Sequence, residues 1–196
     1  EDYRHLTVQA MHADFAGHPE VVRAFQVEKK ALAFFGSSLG NFTREESAKF
    51  LRQSASIMQP EDVFLLGIDL KKSPDILAPA YDDAQGVTAA FNLNVLHRIN
   101  RELGGQFDVQ SFEHVAFYND EKGRIEMHLS SRKAQHIPIT KIEHVVSFQA
   151  GETIHTENSC KYTVEEVRAL GEQAGLDLSH TWFDRQHYFL LALFRP

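Results

Sequence analysis

The sequence predicts an α/β protein with a parallel element in its sheet, interrupted by an antiparallel, hairpin-rich insert. Three stretches carry that expectation. The continuous apolar run Ala31 to Phe35 ends in the small-residue loop Gly36 to Asn41, the pattern of a buried parallel strand leaving its sheet. Thr43 to Glu46 reads T-R-E-E, a capping box that opens a helix. A second apolar run, Val63 to Asp69, follows the break at Pro60. Strand, helix and strand then make a βαβ unit with a right-handed crossover.

The remaining elements follow in order. Leu6 to Met11 alternates, is rich in strand formers and reads as a first strand. The helix opened at Thr43 carries Phe50, Leu51, Ser54, Ile57 and Met58 on one face. Pro74 to Pro79 reads as turns. Ala84 to Leu103 reads as a long helix with Val87, Ala90, Phe91, Asn94, Val95, Arg98 and Ile99 at helical spacing, stopped by Gly104 and Gly105. Phe112 to Tyr118 and Arg124 to Ile139 flank the turn N-D-E-K-G. Val145 to Phe148 and Thr153 to Tyr162 read as a second hairpin around Ala150 and Gly151. Thr163 opens another capping box, for a helix ending at Gly175. Strands at Leu178 to Phe183 and Tyr188 to Phe194 close the chain. The expected organisation is a frame of residues 1–70 and 162–196 with an inserted lobe at 71–161.

Composition narrows the function. With 196 residues, 43% of them apolar and 24% charged, the chain can bury a core without staples. A net charge of −7, with basic residues clustering no further than the pairs Lys29-Lys30, Lys71-Lys72 and Arg132-Lys133, argues against nucleic acid. The single cysteine, Cys160, excludes an internal disulfide framework. No apolar run approaches the ~18 residues of a membrane span, and a cytoplasmic location is the expectation. There is no G-x-S-x-G and no H-E-x-x-H, and the 11 histidines are scattered, so no hydrolase and no metal is expected.

In an open α/β sheet, ligands sit beyond the carboxyl ends of the parallel strands. That directs attention to Asp14-Phe15, to Gly36 through Asn41, and to Asp69. Asp14 and Phe15 read either as a helix cap with a core ring or as an acid and a stacking ring for a nucleoside. Gly36 to Asn41 is either a tight turn or a loop that lets a ligand approach the backbone. It lacks the spacing of a phosphate fingerprint. Tyr81 is either a surface aromatic or a ligand contact, and Asp82 and Asp83 suit the first turn of the following helix. Strand parity puts Ile125, Met127 and Leu129 on one face, with Glu126 and His128 pointing out. It likewise groups Thr153, His155, Glu157 and Ser159, a face that is either solvent-exposed or suited to a cationic or hydrogen-bonding ring.

Several stretches resemble one family. They are F-F-G-S-S-L-G-N-F (34–42), L-L-G-I-D-L-K-K-S-P (65–74), A-Y-D-D-A-Q-G-V-T-A-A-F-N-L-N-V-L (80–96), R-I-E-M-H-L (124–129) and H-T-E-N-S-C-K-Y (155–162). Together they resemble the S-adenosylmethionine-dependent, histidine-specific Nα-methyltransferases of ergothioneine biosynthesis. The resemblance implies a class I methyltransferase fold with an inserted substrate lobe, S-adenosylmethionine as cofactor, and trimethylation of the α-amino nitrogen of L-histidine to hercynine. By motif position, Asp14 and Phe15 resemble the contacts to the adenine end of the cofactor. Asn41 resembles the contact near the substrate amino group and Tyr81 the hydroxyl on its carboxylate. Met127 resembles the wall of the imidazole pocket, and Glu157 and Ser159 the pair that bonds the ring nitrogens. No residue is expected to act as a covalent or acid–base catalyst. Relatives acting on tryptophan-type substrates would not be expected to keep a carboxylate at Glu157.

In that family the glycine-rich cofactor loop, the acid on the ribose and an early substrate tyrosine lie upstream of the strand at Leu6. The resemblance therefore implies a carboxyl-terminal portion of a longer enzyme. Its Leu6 strand would lack a sheet neighbour, so an upstream segment, or self-association through the N-terminal strand, is the expected partner. The reading from another class is a non-catalytic module that binds a histidine-like ligand or assembles with another chain.

Overall fold

The computed structural model describes residues 5–14 and 28–196. Its elements run β1 (Ala31–Phe34), α1 (Arg44–Ser56), β2 (Val63–Asp69), α2 (Pro74–Tyr81), α3 (Val87–Leu103), β3 (Phe112–Asn119), β4 (Arg124–Ser131), β5 (Gln135–Ile139), β6 (His144–Phe148), β7 (Thr153–Cys160), α4 (Val164–Gln173), β8 (Asp177–Phe183) and β9 (Phe189–Arg195).

Local chemistry sets the two helices beside the main sheet. The Thr43 hydroxyl accepts the Glu46 N–H, and the Glu46 carboxylate accepts the Thr43 N–H, at the start of α1. Thr163 and Glu166 repeat the arrangement at α4. Each box satisfies two backbone donors that a helix end otherwise leaves open. The sheet they pack against has the order β1-β2-β9-β8. β1 and β2 are parallel, as the βαβ reading expects, and β9 is antiparallel to both β2 and β8. Leu51, Phe64, Leu66, Ile68, Val167, Leu190 and Phe194 form the centre of this core, each at most 2% exposed. Gly171 permits the fit, because a Cβ there would lie 2.3 Å from the Phe194 ring. Among the described residues β1 is an edge strand, with alternating exposed and half-buried residues, not one buried on both faces.

Between Asp69 and Tyr162 lie a three-stranded antiparallel sheet, β3-β4-β7, and a two-stranded one, β5-β6. Four expectations are corrected here. Arg124 to Ile139 is two strands, β4 and β5. The partner of β6 is β5 and the partner of β7 is β4, so there is no β6–β7 hairpin. Pro74 to Tyr81 is a helix: the Ser73 hydroxyl accepts the Asp75 N–H, and Pro74 sits at the first helical position, where a missing N–H costs nothing. The apolar stripe read on α3 faces outward, with Val87, Phe91 and Val95 exposed, while Asn92 and Leu96 are buried.

The start of α3 lies at Val87 because Asp83 holds it there. Its carboxylate accepts the N–H groups of Val87 and Thr88, which lowers its pKa to about 2. Leu6 to Met11 is no strand: residues 5–14 are exposed and carry no strand assignment. Among the described residues, no helix is long and apolar enough to cross a membrane.

Candidate substrate pocket

The pocket is organised by an irregularity in β7. Opposite β4, Met127 pairs with Glu157 and Ile125 with Ser159, but His128 pairs with His155, leaving Thr156 without a counterpart. Such a bulge inserts one residue and breaks the two-residue alternation. The Thr156 hydroxyl donates to the Met127 carbonyl at 2.9 Å. Directly opposed residues share a face in an antiparallel pair. Glu157 and Ser159 therefore lie on the Met127 face, and Thr153 and His155 lie on the His128 face. The single face expected for Thr153, His155, Glu157 and Ser159 is thus divided in two.

On the first face, Met127 and Ile125 are buried with Leu77, next to Tyr81. The Tyr81 and Ser159 hydroxyl oxygens lie 2.7 Å apart. Both accept from the Lys161 ammonium, at 2.7 and 2.9 Å. Lys161 is 1% exposed and pairs with Asp69 Oδ2 at 2.7 Å, while Lys72 holds Asp69 Oδ1 at 2.5 Å. Asp69, singled out at the end of the second parallel strand, is thereby tied to the hydroxyl pair. Neither lysine was found from sequence. The alternation Glu157, Ser159, Lys161 was the available signal.

Asn41 reaches this region through a close backbone contact. It ends a 3-10 turn, Ser38–Asn41, that packs on β7. Gly40 is buried there, and a Cβ on it would meet the Cys160 carbonyl at 3.0 Å and Ser159 Oγ at 3.5 Å. Asn41, His155, Thr156, Glu157 and Asn158 line one cavity of about 350 Å³. The Asn158 side-chain oxygen is, among the described residues, a buried acceptor with no partner. Burial pushes the Glu157 carboxyl up, against the pull of the Lys161 charge. Gly40→Ala is expected to lift the turn from β7 and cost ~1–3 kcal/mol of stability. It should also weaken binding of a ligand that touches Asn41. Urea unfolding and calorimetric titration read the two effects separately.

The structure brings Asn41, Tyr81, Met127, Glu157 and Ser159 together around β7. It does not bring Asp14 to them, because Asp14 ends the exposed stretch 5–14. Phe15 lies outside the described residues.

The opposite face of β4 is not open to solvent. Glu126 is 5% exposed and receives hydrogen bonds from Arg124 and Asn119. Burial alone would raise its pKa. The hydrogen bonds from Arg124 and His128 and the charges of Arg124 and Lys122 outweigh that and hold it at about 2. Its ionised form supports the fold above the ordinary carboxyl pKa of 4.5, and that support is lost as pH falls toward 2. Wild type is expected to lose roughly 2–3 kcal/mol more than Glu126→Gln over that interval. Urea midpoints from pH 6 to pH 2.5 test this, and parallel slopes for the two proteins would refute it.

Glu126, His128 and His155 also bring three potential metal-ligand atoms within 4.8 Å, a grouping across two strands that spacing along the chain does not reveal. The two imidazoles are stacked at 4.5 Å with planes 11° apart, so their in-plane lone pairs run side by side rather than toward a shared point.

Fold and pocket together define an α/β protein with a cavity sized and lined for a small polar molecule. Residues 1–196 match the family described as histidine-specific methyltransferase, SAM-dependent, and the chain belongs to that family. It is 44% identical over 192 residues to the histidine N-alpha-methyltransferase of Mycolicibacterium smegmatis, covering 98% of this chain and 59% of that protein. It is 41% identical over 193 residues to the protein of that name from Mycobacterium tuberculosis, with the same coverage of 98% and 59%. An L-tryptophan methyltransferase from Psilocybe serbica is 30% identical over 165 residues, 83% of this chain and 46% of that one. The chain thus spans about three fifths of the length of the two mycobacterial relatives.

Proposed function

We propose that the protein methylates the α-amino nitrogen of L-histidine, with S-adenosylmethionine as methyl donor. One observation carries the reading beyond family membership: Asn41 and Glu157, matched by motif to opposite ends of the amino acid, line the same cavity. We assign residues 71–161 to substrate recognition and residues 1–70 and 162–196 to the frame.

The cofactor supplies an electrophilic methyl on a sulfonium. The carboxyl ends of β1 and β2, with Gly36 to Asn41 and Asp69, are the described edge where an α/β sheet takes a ligand. Asp14 is exposed, so the proposed adenine contact rests on the resemblance and not on assembled geometry.

The chain's own contribution is orientation. An amine must present its lone pair in line with the bond to be broken, and fixing that geometry replaces a bimolecular encounter with a local one. The Asn41 amide holds the amino end, Glu157 accepts a ring N–H, and Met127 backs the ring. Tyr81, matched by motif to the carboxylate, lies beside Ser159 in the same hydroxyl pair. An α-ammonium has an ordinary pKa near ~8, so losing its proton is inexpensive at neutral pH. A half-buried carboxylate at Glu157 disfavours a ring without an N–H partner, because the acid would be left unpaired.

The test is mass spectrometry of products after incubating the protein that carries this chain with S-adenosylmethionine and histidine or tryptophan. Mono-, di- and trimethylated histidine are expected in sequence. Methylation of tryptophan in preference to histidine would overturn the substrate assignment. Binding of histidine without any transfer would favour the non-catalytic module.

A further inference from the structure

We propose that Lys161 is a positioning residue that fixes Ser159 as a hydrogen-bond donor, and thereby selects the neutral form of the substrate's imidazole. The proposal rests on the reading that the ring meets Glu157 and Ser159.

An ammonium has three N–H donors and no acceptor. All three donors of Lys161 are engaged, by Asp69 Oδ2, the Tyr81 hydroxyl and Ser159 Oγ, at 2.7, 2.7 and 2.9 Å. Each hydroxyl owns one proton and two lone pairs. Each therefore gives one lone pair to Lys161. At 2.7 Å, one of the two hydroxyls donates to the other. A phenolic hydroxyl is a better hydrogen-bond donor than an aliphatic one. Ser159 Oγ then accepts from both Lys161 and Tyr81, and its lone pairs are exhausted. What Ser159 can still offer is its own proton.

Two residues away on the same face, Glu157 can only accept when ionised. A ring lying across the pair must present an N–H to Glu157 and a bare nitrogen to Ser159. Neutral imidazole has one of each. Imidazolium has two N–H groups, and one of them would face the Ser159 proton. Without Lys161, Ser159 regains a lone pair and accepts from imidazolium without conflict.

The charged and titratable groups around the ammonium are few. Asp69 comes from β2 with Lys72 on its other oxygen. Tyr81 comes from α2, its ring centre 4.8 Å from the ammonium. Glu157 lies on the preceding strand and feels the Lys161 charge. Arg44 of α1 donates to the Lys161 carbonyl at 2.8 Å.

The experiment is nitrogen NMR of ring-labelled [15N]histidine bound to the intact protein at pH ~5.5, where a free imidazole with the ordinary pKa of ~6.5 is mostly protonated. Wild type is expected to show one bare and one protonated ring nitrogen. Lys161→Met combined with Asp69→Asn, which removes both charges, is expected to show two protonated nitrogens. Circular dichroism confirms that the variant is folded. Lys161→Arg, again a donor without an acceptor, should restore the neutral signature. The Lys161 charge also lowers the Glu157 carboxyl, so Lys161→Arg, which keeps that charge, is the matched control against which the double variant is read. A doubly protonated ring in wild type overturns the proposal, as does a neutral ring in the double variant. Failure of wild type to bind histidine at neutral pH overturns the substrate reading, and the proposal with it.

Discussion

Glu157→Ala is expected to lower kcat/KM for histidine by roughly ten- to a hundredfold. The range follows from the ~1.5–3 kcal/mol that a hydrogen bond to a charged group contributes. Burial already pushes the Glu157 carboxyl up, so an ionised acid there depends on a partner as well as on the Lys161 charge. Alanine removes both the acceptor and the cost of burying it. The same variant should therefore improve, or leave unharmed, the use of an amino acid with an apolar ring. Steady-state kinetics with histidine and tryptophan check both directions. Unchanged histidine kinetics would remove Glu157 from the ring site.

Asp69→Ala is expected to cost ~3–5 kcal/mol of stability. Breaking one member of a buried pair leaves the other charge without compensation. Lys161, at 1% exposure, has only hydroxyls left, whereas the Lys72 side chain is 12% exposed and can turn toward water. Replacing both partners, as Asp69→Asn with Lys161→Met, should recover most of the loss. Urea unfolding of wild type, Asp69→Asn, Lys161→Met and the double gives the coupling energy directly. Additive losses would show that Lys161 does not depend on Asp69.

What the sequence reveals is what neighbouring residues decide. The capping boxes at Thr43 and Thr163 close within four residues, and the parallel pairing of β1 and β2 follows from one capped helix between two apolar runs. The face assignment on β7 failed because parity assumes an unbroken ladder, and the extra residue at Thr156 is set by register against β4. Pairing β6 with β7 followed chain order, whereas β6 pairs with β5 before it and β7 reaches back past both to β4. On α3, Val87, Phe91 and Val95 satisfy helical spacing as well as the buried stripe does, and only packing on β3 and β4 decides between them. Leu6 to Met11 has the composition of a strand, but composition cannot supply a hydrogen-bonding neighbour. Of the pocket, the residues carried over by motif converge around β7. The lysine that joins them, and the orphaned oxygen of Asn158, required coordinates.

The backbone crossing at Leu70 and Tyr162 has a consequence for how such proteins diversify. Leu70 bridges Tyr162, the Lys71 N–H donates to the Tyr162 carbonyl at 2.8 Å, and the Tyr162 N–H donates to the Asp69 carbonyl at 3.2 Å. Everything between leaves and returns through one hydrogen-bonded stem. The entropy of closing a loop grows only with the logarithm of its length, so additions beyond a closed stem are tolerated cheaply. Chain can be inserted, shortened or exchanged beyond that root without rerouting β1, β2, β8 or β9. Recognition of new amines can then be acquired as a cassette, while the scaffold beneath it inherits its folding problem already solved.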